Sequence, residues 1–137
     1  MALQSGIVRC LSKSFTAEED ITQYHAVKFG SADNGILQTD TQGEKALGIA
    51  LEDADSGQAV EVLILGICPV IVSAYSGTGV GDNITPSAEG SPSVDAGKVE
   101  EAASGDYIMG RILDAAAADD DQVMAIINCT KFDCALA

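Results

Sequence analysis

The sequence has few basic side chains. Seven Lys and Arg stand against 21 Asp and Glu in 137 residues, for a formal net charge of −14. The seven are scattered along the chain as Arg9, Lys13, Lys28, Lys45, Lys98, Arg111 and Lys131. Polyphosphate and anionic lipid surfaces both repel a protein of this charge. We therefore expect neither a nucleic acid nor a membrane among its partners.

Long apolar runs and aromatic residues are also scarce. The longest apolar stretch, residues 59–74, is interrupted by Glu61, Gly66 and Pro69, so it is too short and too broken to span a bilayer. The chain has no Trp, and its three Tyr and three Phe are dispersed. Dispersed rings do not form a stacking platform for bases or sugars.

Histidine occurs once, as His25, and this restricts the possible catalytic chemistry. A Ser-His-Asp or Cys-His site would have to be built around it, and no G-x-S-x-G motif is present. The carboxylates concentrate in turns such as residues 18–20 and 119–121, where solvated charge is the usual interpretation. We predict no catalytic, cofactor-binding or metal-binding residue, and hence no enzyme.

The four cysteines stand at positions 10, 68, 129 and 134. Because the start of the chain lacks the basic region and apolar core of a secretory signal, we expect free thiols. An even number still leaves three possible pairings open. Zinc sites use paired close spacings such as C-x-x-C, which these positions do not supply.

From residue 24 onward the chain shows a strand-and-turn pattern. Short apolar runs separated by Gly, Asp and Asn are typical of an all-β domain. Gly66 is expected to split the longest run into two strands. Pro69 cannot donate a ladder hydrogen bond, which places its strand at an edge or at a bulge. The predicted strands cover residues 24–29, 35–40, 45–52, 58–65, 67–74, 98–102, 107–113 and 122–128, with shorter pieces near Val80 and Ile84.

An internal repeat gives the clearest signal of architecture. A shift of 62 residues aligns residues 35–54 with residues 97–116 without a gap. The identical pairs are Gly35/Gly97, Gly43/Gly105, Gly48/Gly110, Leu51/Leu113 and Ala54/Ala116. Aligned glycines indicate shared backbone shape, since glycine marks positions of positive φ or close approach. We predict a small β-barrel or β-sandwich built from two similar β units.

The first twenty residues show no sustained period. Isolated apolar positions alternate there with Ser, Thr, Glu and Asp. We predict an extended N-terminal arm over residues 1–20 and a single β domain over residues 21–137. Such an arm gains little by folding on its own surface, so it stays mobile or lies along a partner. The candidate contact residues are Leu3, Ile7, Val8, Leu11 and Phe15, with Phe15 the candidate anchor on a neighbouring subunit.

Several segments together carry a family resemblance. They are Gly57-Gln58-Ala59-Val60-Glu61-Val62, Gly66, Val70-Ile71-Val72, Gly81-Asp82-Asn83-Ile84-Thr85, Gly90, the run from Gly105 to Ala116, and Val123-Met124-Ala125-Ile126-Ile127. Over about residues 24–128 the chain resembles the small capsid cement, or head decoration, proteins of tailed bacteriophages. In that family a Gly-Arg-Ala-Leu-like step precedes an acidic turn and a final strand. Here Ile112 replaces the usual small residue.

The resemblance implies a structural virion protein. Proteins of this family are usually trimers, bound outside an icosahedral shell at local three-fold positions, with N-terminal segments reaching onto the capsid protein. The implied partners are the major capsid protein and further copies of the chain, as a homotrimer. The implied role is to stabilise the expanded shell from the outer surface of the virion, after synthesis in the host cytoplasm. The five candidate residues would then contact the capsid or a neighbouring subunit.

Three other functions remain open at this point. The loops between Ser76 and Gly97 and the acidic turns could make the protein a surface module that binds a carbohydrate or a receptor. His25 and nearby carboxylates could support an enzyme. The chain could also be an acidic structural subunit of another assembly.

Overall fold

The computed structural model describes residues 6–73, 79–87, 96–115 and 120–130. Every regular element in these ranges is a β-strand, which confirms the predicted all-β class. No helix there could cross a membrane. The strands are β1 (Val8–Ala17), β2 (Ala26–Phe29), β3 (Gly35–Gln38), β4 (Gly48–Ala50), β5 (Ala59–Ile71), β6 (Asn83–Pro86), β7 (Val99–Glu101), β8 (Gly110–Ile112) and β9 (Gln122–Asn128).

The predicted repeat is present in the strand pairing. The nine strands follow the order β1-β3-β2-β4-β5-β9-β8-β6-β7, so the series β3-β2-β4-β5 recurs as β7-β6-β8-β9. Strand β4 begins at Gly48 and β8 begins at Gly110, the two aligned glycines. A Cβ at Gly48 would lie 2.2 Å from the Leu63 carbonyl oxygen, and one at Gly110 would lie 2.0 Å from that of Ile126. Each glycine therefore permits the same close approach of two backbones.

The long strand β5 is shared between the two units. In the first unit, β1 pairs parallel with β3 and antiparallel with β5, which closes a circuit of five strands. In the second unit, residues 65–71 of β5 take the place of β1. They pair antiparallel with β9, and Val72 forms a parallel bridge with Val99 of β7. The N-terminal half of β5 thus belongs to the first unit and its C-terminal half to the second.

Two apolar cores correspond to this arrangement. The first lies within the first unit and contains Phe15, Ala17, Ile21, Val27, Ile36, Ala50, Ala54, Val60 and Val62. The second joins residues of both units. It contains Ala26, Ala46, Ile49, Leu51 and Leu63 from the first unit and Cys68, Val70, Val72, Ile84, Val99, Met109, Ile112, Val123, Ala125 and Ile127 from the second. Neighbouring residues such as Val27 and Ala26 serve different cores because alternate strand residues point to opposite faces.

The N-terminal segment corrects one expectation. Residues 8–17, assigned above to an arm, form β1 and pair with β5 from Val8 opposite Ile67 to Thr16 opposite Ala59. Phe15 and Ala17 point into the first core. The exposed first half of β1 obscures the strand pattern in the sequence, because apolar and polar side chains alike face solvent there.

The predicted break at Gly66 is also wrong, since β5 runs without interruption from Ala59 to Ile71. Gly66 instead allows β1 to come close: a Cβ there would lie 2.0 Å from the Val8 carbonyl oxygen. The expectation for Pro69 is confirmed. In the described parts of the chain, residues 68–71 of β5 have strand partners only in β9. Val80 lies in a turn, whereas Ile84 lies in β6 as predicted.

Candidate interaction surfaces

The five candidate contact residues lie in different environments. Leu3 is outside the described residues. Ile7 is half-buried against the second core, whereas Val8 and Leu11 are exposed. Phe15 is only 6% exposed and packs in the first core opposite Val60. Phe15 therefore stabilises its own domain, and the expectation that it anchors the chain on a neighbouring subunit is wrong.

Val8 belongs to an apolar face that crosses the second unit. Register places Val8 of β1 beside Ile67 of β5, which lies beside Ile126 of β9, which in turn lies beside Arg111 of β8. Side chains directly opposite each other across a ladder share one face of the sheet. Val8 is 48% exposed and Ile126 is 41% exposed. We call the side chains of Val8, Ile67, Ile108, Arg111, Leu113 and Ile126 the outer face of the second unit.

A second apolar surface is a single aromatic side chain in the first unit. Phe29, at the end of β2, is 68% exposed. Its ring stands edge-to-face on Phe15, with the ring centroids 6.4 Å apart and an angle of 74° between the planes. The Lys13 Nζ lies 4.5 Å from the centroid of the Phe15 ring. Phe29 therefore contacts the first core through Phe15 and presents most of its ring to solvent.

The turn that follows Phe29 is held by the Glu18 carboxylate. This group accepts hydrogen bonds from the Ala32 N–H at 2.8 Å, the Ser31 N–H at 3.1 Å and the Ser31 hydroxyl at 3.2 Å. The hydrogen bonds from the Ala32 and Ser31 backbone lower the pKa of Glu18. A Cβ at Gly30 or Gly35 would displace the Glu18 carboxylate, so these two glycines leave room for it. We call residues 29–35 the Phe29 turn.

The sequence predicts a turn at residues 31–35, as observed, but the Glu18 contact that holds this turn was not predicted. Glu18 occurs in an acidic run, and such runs are usually solvated. Phe29 ends an ordinary apolar strand. Only the two glycines that flank residues 31–34 hint at a close contact, and they equally fit a simple turn.

The residues considered for catalysis have structural partners. His25 Nδ1 lies 3.0 Å from the Gln23 carbonyl oxygen, and the ring packs against Gly97 at the junction of the two units. Asp120 forms a 2.6 Å ion pair with Lys98, whereas Asp119 lies outside the described residues. No group of three or more His, Cys, Asp or Glu in the described ranges is placed to hold a metal ion.

Cys10 and Cys68 are free thiols, and Cys134 lies outside the described residues. Burial raises the pKa of the Cys68 thiol to about 12, and the neighbouring Cys129 adds to the shift. Because the thiolate is the reactive form, Cys68 is inert near neutral pH.

We predict that His25 destabilises the fold as the pH falls from about 7.5 to about 5.5. Burial lowers its pKa and the Lys98 charge adds to this, while the Gln23 carbonyl and the carboxylates of Asp120 and Asp53 oppose it. The unfolded chain, with a histidine pKa near 6.5, takes up the proton first. The contribution of neutral His25 to the free energy of unfolding is therefore complete above about pH 6.5, and it is lost as the pH falls through the lower pKa of the folded state.

Urea unfolding of the wild type and of His25→Gln at both pH values measures this contribution. The wild-type midpoint should fall further than that of the variant. The variant retains every other titratable group of the chain, so it serves as the control. Equal falls in the two proteins would contradict the prediction.

Most of the chain, including both units, matches a known protein family. A family model described as phage cement protein matches residues 9–127. The chain belongs to the phage cement protein family. The match begins in β1 and ends in β9, so it spans both units. This cement protein is thus a structural phage protein of the virion, associated with the capsid.

The fold also occurs in a solved structure. The cement protein resembles the head fiber gp8.5 N base of bacteriophage phi29, with a TM-score of 0.63 and 21% sequence identity. The likeness covers 90% of this chain and 98% of the phi29 chain. At this identity it shows a shared fold. No curated protein matched the chain in sequence.

Proposed function

We propose that this cement protein binds the major capsid protein on the outer surface of the phage head, as a homotrimer at local three-fold positions, and stabilises the expanded shell. The observation that supports this is the family match over residues 9–127. The shared fold is consistent with it, because the phi29 protein of similar structure is described as the base of a head fiber.

The stabilisation follows from preferential binding. A protein that binds the expanded shell more tightly than the unexpanded or broken shell lowers the free energy of the expanded form. In a trimer, the second and third contacts form at high effective concentration once the first is made. A modest contact per subunit therefore suffices to bridge neighbouring capsid proteins.

In this proposal the Phe29 turn makes the central capsid contact. An exposed aromatic side chain contributes strongly to an interface when it is already rigid, since little conformational entropy is lost on binding. The edge-to-face contact with Phe15 and the hydrogen bonds from Glu18 to the following turn reduce the freedom that Phe29 would lose on binding. The acidic surface elsewhere disfavours contact with the packaged nucleic acid, consistent with an exterior position.

Co-sedimentation of the full chain with expanded empty capsids tests the proposal. Phe29→Ser is expected to weaken binding about tenfold or more, as for a hot-spot aromatic residue. Val80→Ser is the matched control, because Val80 is also apolar, 69% exposed and in a turn. This control should bind as the wild type does.

Three results would contradict parts of the proposal. Undiminished binding of Phe29→Ser, with an unchanged thermal midpoint, would exclude the Phe29 turn as the contact. Failure of the wild type to sediment with expanded capsids would exclude the cement function. Specific binding of the isolated protein to glycans, without capsid binding, would favour a carbohydrate-binding module instead.

A further inference from the structure

The two units carry equivalent rows of side chains on equivalent faces of their strands. In the first unit the ladder places Ala26 beside Ile49 and Ile49 beside Leu63. In the second unit the corresponding row is Asn83, Arg111 and Ile126. The correspondence follows from Gly48 and Gly110, which begin equivalent strands with equivalent neighbours.

The two rows differ in what covers them. Ala26, Ile49 and Leu63 are fully buried in the second core, where they pack with residues of the second unit. Arg111 and Ile126 are exposed. Leu113, the aligned counterpart of buried Leu51, is exposed as well. The second unit therefore presents a mixed face, with exposed Ile126 and Leu113 beside Asn83 and Arg111, that no other element of the described residues covers.

The charge of this face differs from that of the whole chain. A shallow cavity of about 370 Å³ on it is lined by Asn83, Ile108, Gly110, Arg111, Ile126 and Asn128, none of them acidic. Arg111 forms no ion pair with the described residues. In a chain of net charge −14, two copies repel each other least where carboxylates are absent. An unpaired guanidinium at this place can also donate hydrogen bonds to a carboxylate of the approaching copy.

We infer that the outer face of the second unit binds a second copy of this chain, with Arg111 paired to a carboxylate of that copy. This inference deepens the proposed function and rests on the proposed trimer. In a cyclic trimer the contact is heterologous, so the face meets a different surface of its neighbour. Val8 and Ile67 extend the contact along the ladder, which gives the exposed first half of β1 a role between subunits.

Sedimentation equilibrium of the full chain tests the inference. The wild type should have the mass of three 14.0 kDa copies. Ile126→Asp and Arg111→Glu should each raise the concentration for half-dissociation by about tenfold or more, because each places a carboxylate in the contact. Arg111→Lys should lose less, since it keeps the positive charge. Phe29→Ser, outside the face, should remain trimeric.

The outcomes separate this inference from the proposed function. A monomeric wild type would overturn the inference, and so would Arg111→Glu and Ile126→Asp chains that remain trimeric. Neither result decides whether the protein binds the capsid, which co-sedimentation with expanded capsids measures separately. Variants that stay trimeric but fail to sediment with expanded capsids would make this face a capsid contact and overturn the inference. Arg111→Glu covers the case in which Ile126→Asp does not fold, because Arg111 is exposed.

Discussion

Replacing Phe15 with alanine is expected to lower the free energy of unfolding by about 3–5 kcal/mol. Phe15 is a large side chain of the first core, and its ring also supports Phe29. Its removal leaves a cavity that a neighbour such as Val62 cannot fill, because strand pairing with β1 and β4 holds the Val62 backbone on both sides. Chemical denaturation of the isolated protein measures the loss.

Leu11→Ala is the matched control for Phe15→Ala. Leu11 lies on the same strand but is exposed, so its truncation should change the free energy of unfolding by about 0.5 kcal/mol or less. Equal small effects of the two substitutions would mean that residues 8–17 do not form part of the folded core. Because β1 begins at Val8, deletions intended to test an N-terminal arm must end before that residue.

Replacing Gly110 with alanine is expected to destabilise the fold by about 3 kcal/mol or more. The new methyl group would lie 2.0 Å from the Ile126 carbonyl oxygen, which belongs to the backbone of the paired strand β9. Backbone cannot move aside as a flexible side chain can, so β8 and β9 must separate. Thermal unfolding followed by circular dichroism measures the change.

Gly57→Ala separates this steric effect from the general effect of replacing a glycine. Gly57 has a φ of +93°, and no atom lies within 4 Å of its would-be Cβ. Only left-handed backbone strain applies there, about 1–2 kcal/mol. A loss at Gly110 no larger than the loss at Gly57 would contradict the close approach of β8 and β9.

The repeat shows how far sequence reasoning extends. Gly48 and Gly110 could be matched from the sequence because a backbone contact accepts no side chain, and each copy of the unit must satisfy that condition. Short apolar runs bounded by turn residues gave β2, β3 and β9 close to their observed limits. In these elements local pattern and tertiary position agree.

Other elements depend on contacts distant in the chain. Gly66 looks like a strand break, but it serves a close approach by Val8 of β1, 58 residues earlier. Phe15 looks like part of an arm, because its partner Val60 is far away in sequence. Periodicity over a short window contains no information about either contact.

The candidate surfaces show the same division. Of the residues chosen as contacts from the sequence, Val8 and Leu11 are exposed and Phe15 is buried, whereas the exposed Phe29 was not among them. Val27 and Phe29 lie two positions apart on β2, yet Val27 is buried and Phe29, at the end of the strand, is exposed. Burial of a side chain depends on what packs above it, and that is a property of the whole fold.

The amino-acid sequence by itself determined the all-β class, the duplicated unit, the acidic surface and the family, because each depends on composition, spacing or local backbone conformation. Only the tertiary structure decided that β5 serves both units and that β1 closes the first one. It also decided that the row of Ala26, Ile49 and Leu63 is buried while the equivalent row of the second unit is exposed. These features depend on which distant segments meet, and that choice is made by the total apolar burial of the folded chain rather than by any local pattern.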